Sequence, residues 1–267
     1  MAKPSPLSAA KISLAAFNEV LGRYPACIQA ISQDKGAKPG QKTLAELDEY
    51  RYGEAVTAFG PEKADTKSIG VDEVKTLVEW KLRHGKFRPT LMKLVSSNDP
   101  NLVQTTVQDA VKQYQDKSDI SGALGILTKL KGIGPATASL LLAVHDPDHV
   151  IFFADEAYYW LCGDGKKVPL KYNVKEYNSL CQKSQALSQR LGVKAIDIER
   201  VAFVLMRQES GDIAAASATL DLEPSVSSVA KVTPPKTKRK TVDDNTNDPE
   251  PPVRRSKRTK HGFESEA

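Results

Sequence analysis

Cysteine is scarce in this chain. Three residues, Cys27, Cys162 and Cys181, occur in 267. They are too few and too scattered for a disulfide framework or a four-thiolate metal cluster, so buried reduced thiols and a reducing compartment are expected. Long apolar runs are missing as well. No stretch approaches the ~18 residues that span a bilayer, so no membrane partner is expected. The segment Ile12-Ser13-Leu14-Ala15-Ala16-Phe17 is too short and too mixed for a signal peptide. There is no internal repeat and no convincing strand-turn-strand alternation, which leaves an all-α fold class. His84, His145 and His149 lack the spacing of a zinc site or a nucleophilic triad. No metal and no cofactor are expected.

Charge is present but uneven. The formal net charge is +5. Residues 231–267 hold ten Lys or Arg against six Asp or Glu, while the first 230 hold 28 against 27. The body is no bulk polycation, so any nucleic-acid contact it makes must come from one local face.

The pattern divides into a flexible leader over 1–10, a helical domain over 11–215 and a disordered basic tail over 216–267. The tail is rich in Ser, Thr, Pro, Asp and Lys and poor in aromatics, which leaves too little apolar surface to offset the entropy of ordering. Within the domain, a helix starts near Lys11 and is broken by Gly22 and Pro25, and residues 33–43 read as a loop. Thr43 with Glu46 forms a capping box for the next helix. Further helices are expected over 73–84, from Leu91, over 101–114, 121–130 and 138–144, from Asp155, and over 174–191 and 196–208. Val150-Ile151-Phe152-Phe153 is a short buried run, helical or extended.

The richest segment is Leu130-Lys131-Gly132-Ile133-Gly134-Pro135-Ala136-Thr137-Ala138. Two glycines flank one aliphatic residue at a helix-to-helix junction. Lacking Cβ atoms, Gly132 and Gly134 permit a tight turn with bared N–H groups. Pro135 suits the first position of the following helix, and Ile133 is expected to plug inward. The outcome is a nest of backbone donors at a helix N-terminus, where the helix dipole favours an anion. A DNA phosphate fits such a nest. Lys129 and Lys131 add charge beside it, and Thr137 lies within contact range; such contacts fix register without reading sequence.

Residues 124–161 resemble the helix-hairpin-helix segment of the DNA glycosylase superfamily. Within it the match is most similar to the Amun-like nuclear proteins, which carry a glycosylase-like domain. The residues that carry this match are Val78-Glu79-Trp80-Lys81-Leu82-Arg83-His84-Gly85-Lys86-Phe87-Arg88-Pro89, the hairpin, and Phe153-Ala154-Asp155-Glu156-Ala157-Tyr158. In the superfamily an aspartate follows the hairpin by about twenty residues. Here Asp155 lies 21 positions after Gly134. The resemblance implies that Asp155 stabilises an oxocarbenium-like sugar or orients the attacking water beside an extruded nucleotide. It also implies a helical glycosylase-like fold containing a helix-hairpin-helix near 121–145. The sequence departs from the superfamily in three places. Asp155 stands in Ala-Asp-Glu-Ala rather than Val-Asp-Thr-His. The position of the lyase lysine is Ala136, so Schiff-base chemistry by that route is excluded. The iron–sulfur cysteines are absent. A monofunctional base-excision enzyme is what remains implied. Asp155 also suits a helix N-cap, and both roles stand open.

Arg83, Lys86 and Arg88, with Lys81 and His84, form a second basic cluster interleaved with Trp80 and Phe87. The cations are either phosphate contacts or a solvated face; the aromatics read as core. Trp160 reads as core, while Tyr158 or Tyr159 suits a base pocket. Lys236, Lys238, Arg239 and Lys240, then Arg254, Arg255, Lys257 and Arg258, form two flexible basic clusters suited to a nuclear import receptor. The expected partners are duplex DNA and that receptor, and the expected location is the nucleus. The rival expectation is a non-catalytic helical scaffold for chromatin or protein binding.

Overall fold

A computed structural model describes residues 7–63 and 68–210, and every regular element in them is helical. In order these are α1 (Leu14–Gly22), α2 (Tyr24–Lys35), α3 (Leu44–Glu49), α4 (Ala55–Phe59), α5 (Val71–His84) and α6 (Leu91–Ser96). Then follow α7 (Pro100–Lys117), α8 (Ile120–Leu127), α9 (Pro135–His145), α10 (Asp155–Cys162), α11 (Val174–Leu191) and α12 (Ala195–Ser210). No described helix is long and apolar enough to cross a membrane. The two basic clusters of the tail lie outside the described residues.

Local chemistry explains most boundaries. The Thr43 hydroxyl accepts from the Glu46 amide at 3.2 Å, and the Glu46 carboxylate accepts from the Thr43 amide at 2.7 Å, closing the capping box of α3. Asn173 and Glu176 repeat the device at α11. Pro25 does not break a helix; it sits in the first turn of α2, where its missing N–H costs nothing. The loop expected from residue 33 therefore begins only after Lys35. α3 passes through a π-turn at Tyr50–Glu54 directly into α4. From Leu7 on, the leader is tied down: Trp160 Nε1 donates to the Leu7 carbonyl at 2.7 Å, and Arg190 donates to the Ala9 carbonyl at 2.8 Å.

Two helices organise the core. α9 is buried from Ala136 to His145 and packs against α4, α5 and α8. A helix apolar on every side must be surrounded in this way. α12 packs against α1, α2, α10 and α11. Between α9 and α10, residues 151–154 belong to no regular element and are buried through Phe153, with the Ala154 amide donating to the Phe152 carbonyl at 2.7 Å. With no strand among the described residues, its remaining buried backbone groups need side-chain partners. Glu199 accepts from the Phe152 amide at 2.5 Å, Ser139 Oγ accepts from the Phe153 amide at 2.9 Å, and Tyr177 donates to the Ile151 carbonyl at 2.9 Å. α9, α11 and α12 thus hold the strut that delivers Asp155 to the surface.

Glu199 also anchors Arg51, which the π-turn places fully inside the core. The pair is 3.4 Å apart, and the guanidinium lies over the rings of Tyr52 and Trp80. Two Arg51 nitrogens, Nε and Nη1, are buried without a hydrogen-bond partner.

Candidate functional site

α8 and α9 are joined by residues 128–134. Gly132 has φ +78°, a conformation that strains any side chain. A Cβ there would also stand 3.0 Å from Leu94 Cβ and 3.1 Å from Val95 Cγ2 on α6. The fold itself therefore demands this glycine. Gly134 differs: its φ is −91°, and an added Cβ would meet nothing within 4 Å. Ile133 is buried, as the hairpin pattern predicts. Asn98 clamps the turn by accepting from the Lys131 amide at 2.8 Å and donating to the Lys131 carbonyl at 2.9 Å. The amides of Gly132, Gly134 and Ala136 find no acceptor among the described residues. All three lie at the N-terminus of α9, the positive end of its dipole. Lys129 and Lys131 are exposed on the same loop.

Beside the loop opens a cleft of about 540 Å³. Gly132, Gly134, Ala136 and Thr137 form one wall. Phe152 to Glu156 form the second, and Lys81, His84, Lys86 and Arg88 the third. The amide nest and Asp155 therefore line one space, sized for a small ligand.

Asp155 does not cap α10. The cap position is Ala154, whose φ of −85° and ψ of 150° are extended, and no side chain bonds there. Asp155 is instead the first helical residue, with its carboxylate 19% exposed. Tyr172 donates to Oδ1 at 2.5 Å, and Lys86 Nζ lies 3.0 Å from Oδ2. Both oxygens are thus oriented, one by a phenol and one by a flexible cation that is 68% exposed. Tyr172 reaches this position from a left-handed φ of 55°. A non-glycine residue held there costs roughly 1–3 kcal/mol, and such strain collects at functional sites. Burial and then the bond to Asp155 push its phenol upward, so it stays a hydrogen-bond donor. The Arg88 guanidinium covers the Tyr172 ring at 5.5 Å.

Other charges line the same space. Burial, then the neighbouring Arg88, lowers the Lys81 ammonium from 10.5 to about 8, against the pull of Asp155. Glu156 pairs with Arg207 at 3.1 Å, and burial pushes its carboxyl upward. His84 is stacked between Trp80 and Phe203, and burial drives its pKa well below the ordinary value, leaving it neutral. Among the described residues no three His, Cys, Asp or Glu side chains gather as a metal-binding group.

The expected site residues separate into two sets. Lys86, Arg88, Gly132, Gly134 and Asp155 share the cleft. Lys129 and Lys131 are exposed on the joining loop outside its lining. Thr137, expected at the backbone contact, is 2% exposed and lines the cleft beside Gly132 and Gly134. Arg83 is half-buried and lies outside the cleft lining; its guanidinium donates to the Gly36 and Lys42 carbonyls and pins the loop after α2. Phe87, expected in the core, is 73% exposed, because α5 stops at His84 and the chain leaves the body there. Trp80 and Trp160 are core, and Tyr159 lines the cleft. Sequence reasoning missed Tyr172 and Asn98 and set Lys81 among surface cations. No family model, curated protein or solved structure matches this chain.

Proposed function

We propose that this is a nuclear DNA-binding protein whose glycosylase-like helical domain grips a DNA backbone through its helix-hairpin-helix and hydrolyses a base–sugar bond in the adjacent cleft. One observation carries the reading: unpartnered amides of Gly132, Gly134 and Ala136 and the oriented carboxylate of Asp155 open onto the same cleft. A phosphate seated on the amides, flanked by Lys129 and Lys131, holds the strand without reading its sequence. A neighbouring nucleotide then turns out of the stack and enters the cleft. Phe87, exposed between Lys86 and Arg88, is available to stack on a base. As the C1′–N bond breaks, its electron pair leaves with the base and positive charge grows on the sugar. Asp155 stabilises that charge and orients the attacking water, while Tyr172 keeps the carboxylate aimed. Lys86 swings out to make room. The tail clusters at 236–240 and 254–258 supply the import signal.

The test is incubation of the purified full chain with duplexes carrying uracil, alkylated bases or oxidised bases, scored for abasic sites. Abasic product from at least one lesion, lost in a folded Asp155→Asn variant, is the expected result. DNA binding with no abasic product on any lesion would leave the non-catalytic scaffold standing instead.

A further inference from the structure

The loop between α10 and α11 carries charge that the fold does not require. From Gly163 to Lys175 the chain has four lysines, Lys166, Lys167, Lys171 and Lys175, and one acid, Asp164. The first 230 residues hold 28 basic and 27 acidic side chains, so this excess is local. All four lysines are exposed. Lys166 and Lys171 form no ion pair among the described residues. Helix chemistry accounts for Lys166, which follows the C-terminus of α10, where a cation suits the dipole. It does not account for Lys171 or Lys175. Lys171 lies two residues before Asn173, the N-cap of α11, and Lys175 sits in that helix's first turn. Both stand at the positive end of the dipole, where a cation is disfavoured. The loop backbone is pinned at both ends. The Gly165 amide donates to the Tyr159 carbonyl at 2.9 Å, and the Lys166 amide donates to the Gly163 carbonyl at 2.9 Å. A Cβ at Gly163 would stand 2.6 Å from the Lys166 carbonyl oxygen, so this tight return needs its glycine. Beyond it, the Lys171 amide donates to the Glu176 carboxylate at 3.1 Å, and the Tyr172 phenol donates to Asp155. Lys167 and Tyr172 line the cleft together with Gly132 and Gly134, so this loop and the hairpin border one opening.

We propose that the α10–α11 loop is a second backbone-binding site: Lys166 and Lys171 contact phosphates of the same duplex that seats one phosphate on the hairpin amides. The proposal rests on the DNA-binding reading above and deepens it with a second point of grip. A duplex held at one phosphate is free to pivot. Two points bordering the same cleft fix its angle across the opening. Because Tyr172 ties this loop to the Asp155 carboxylate, the strand held by the lysines is placed relative to that group. A backbone already pinned at both ends loses little freedom when the polymer arrives, so the lysines are presented at low entropic cost. Ammonium groups meeting phosphate oxygens read no base, so the grip is the same for every sequence.

The experiment titrates the full chain with a labelled duplex over a series of salt concentrations. Each phosphate contact contributes about 0.9 to the slope of log affinity against log salt, so Lys166→Gln/Lys171→Gln should flatten that slope by about 1.8. Extrapolated from ~1 M, this is roughly thirtyfold weaker binding at ~0.15 M salt. The loss should be equal for two duplexes of unrelated sequence, and melting should match wild type, since both lysines are exposed. Lys112→Gln/Lys117→Gln removes the same charge from exposed positions of α7 outside the cleft lining and should leave the slope nearly unchanged. An unaltered slope and affinity in the loop variant, or an equal loss in the α7 variant, would overturn the second site while the hairpin reading stands. Failure of the wild-type chain to bind any duplex would overturn both.

Discussion

Asp155 and Lys81 face one cleft with different company. Asp155 has a partner on each carboxylate oxygen, whereas Lys81 holds a charge that its surroundings resist. The burial of the Lys81 ammonium has a measurable cost in stability. The Lys81 ammonium titrates near 8 in the fold and near 10.5 in the unfolded chain. Between those values the unfolded state binds more protons, so stability rises with pH across that window. Below pH 8 the folded state carries the whole penalty. Lys81→Met should therefore melt higher than wild type at pH 7, with the gain fading as pH climbs from 8 to 10.5. A gain that stays constant over that range would contradict the assignment. The sequence could mark Asp155 as a candidate, because the resemblance implies an aspartate about twenty residues after the hairpin and Asp155 lies 21 after Gly134. It could not show Tyr172 or Lys81 as site residues. They lie in separate stretches, and only the fold brings them to one wall. Tyr172 gives no local sign of its left-handed backbone, since tyrosine is not a residue that favours it.

Elements were legible where capping chemistry is local. Thr43 with Glu46 announces α3, and Gly85 announces the end of α5. Pro25 misleads because a ring that reads as a helix breaker also suits a helix's first turn, here that of α2. The run at 150–153 was undecidable from periodicity because its partners, Glu199, Ser139 and Tyr177, sit on three different helices. The burial of Arg51 is equally silent in sequence, as it depends on the π-turn and on a partner 148 positions away. This element-level dependence makes a sharp prediction. Glu199→Ala leaves the Arg51 charge buried and the Phe152 amide without its acceptor. It should cost ~3–5 kcal/mol in urea unfolding, the range for breaking one side of a buried pair. A loss under ~1 kcal/mol would mean that the strut under Asp155 is held by other contacts.

Across the whole molecule, charge is nearly balanced over the first 230 residues, so the proposed DNA contact must be made by one face rather than by bulk attraction. The hairpin loop offers an unusually clean separation of folding from binding. Gly132 is fixed by its φ and by α6, and its replacement should disturb the fold. Gly134 has ordinary backbone angles and open space where a side chain would go. A methyl group at Gly134 would intrude only on something arriving from outside. The decisive measurement is the equilibrium affinity of wild type and Gly134→Ala for a duplex bearing an abasic analogue, with thermal melting of both proteins alongside. The account predicts matched melting and binding weaker by about tenfold or more, equivalent to ~1.4 kcal/mol for a lost charge-assisted contact. Equal affinity of the two folded proteins would contradict it.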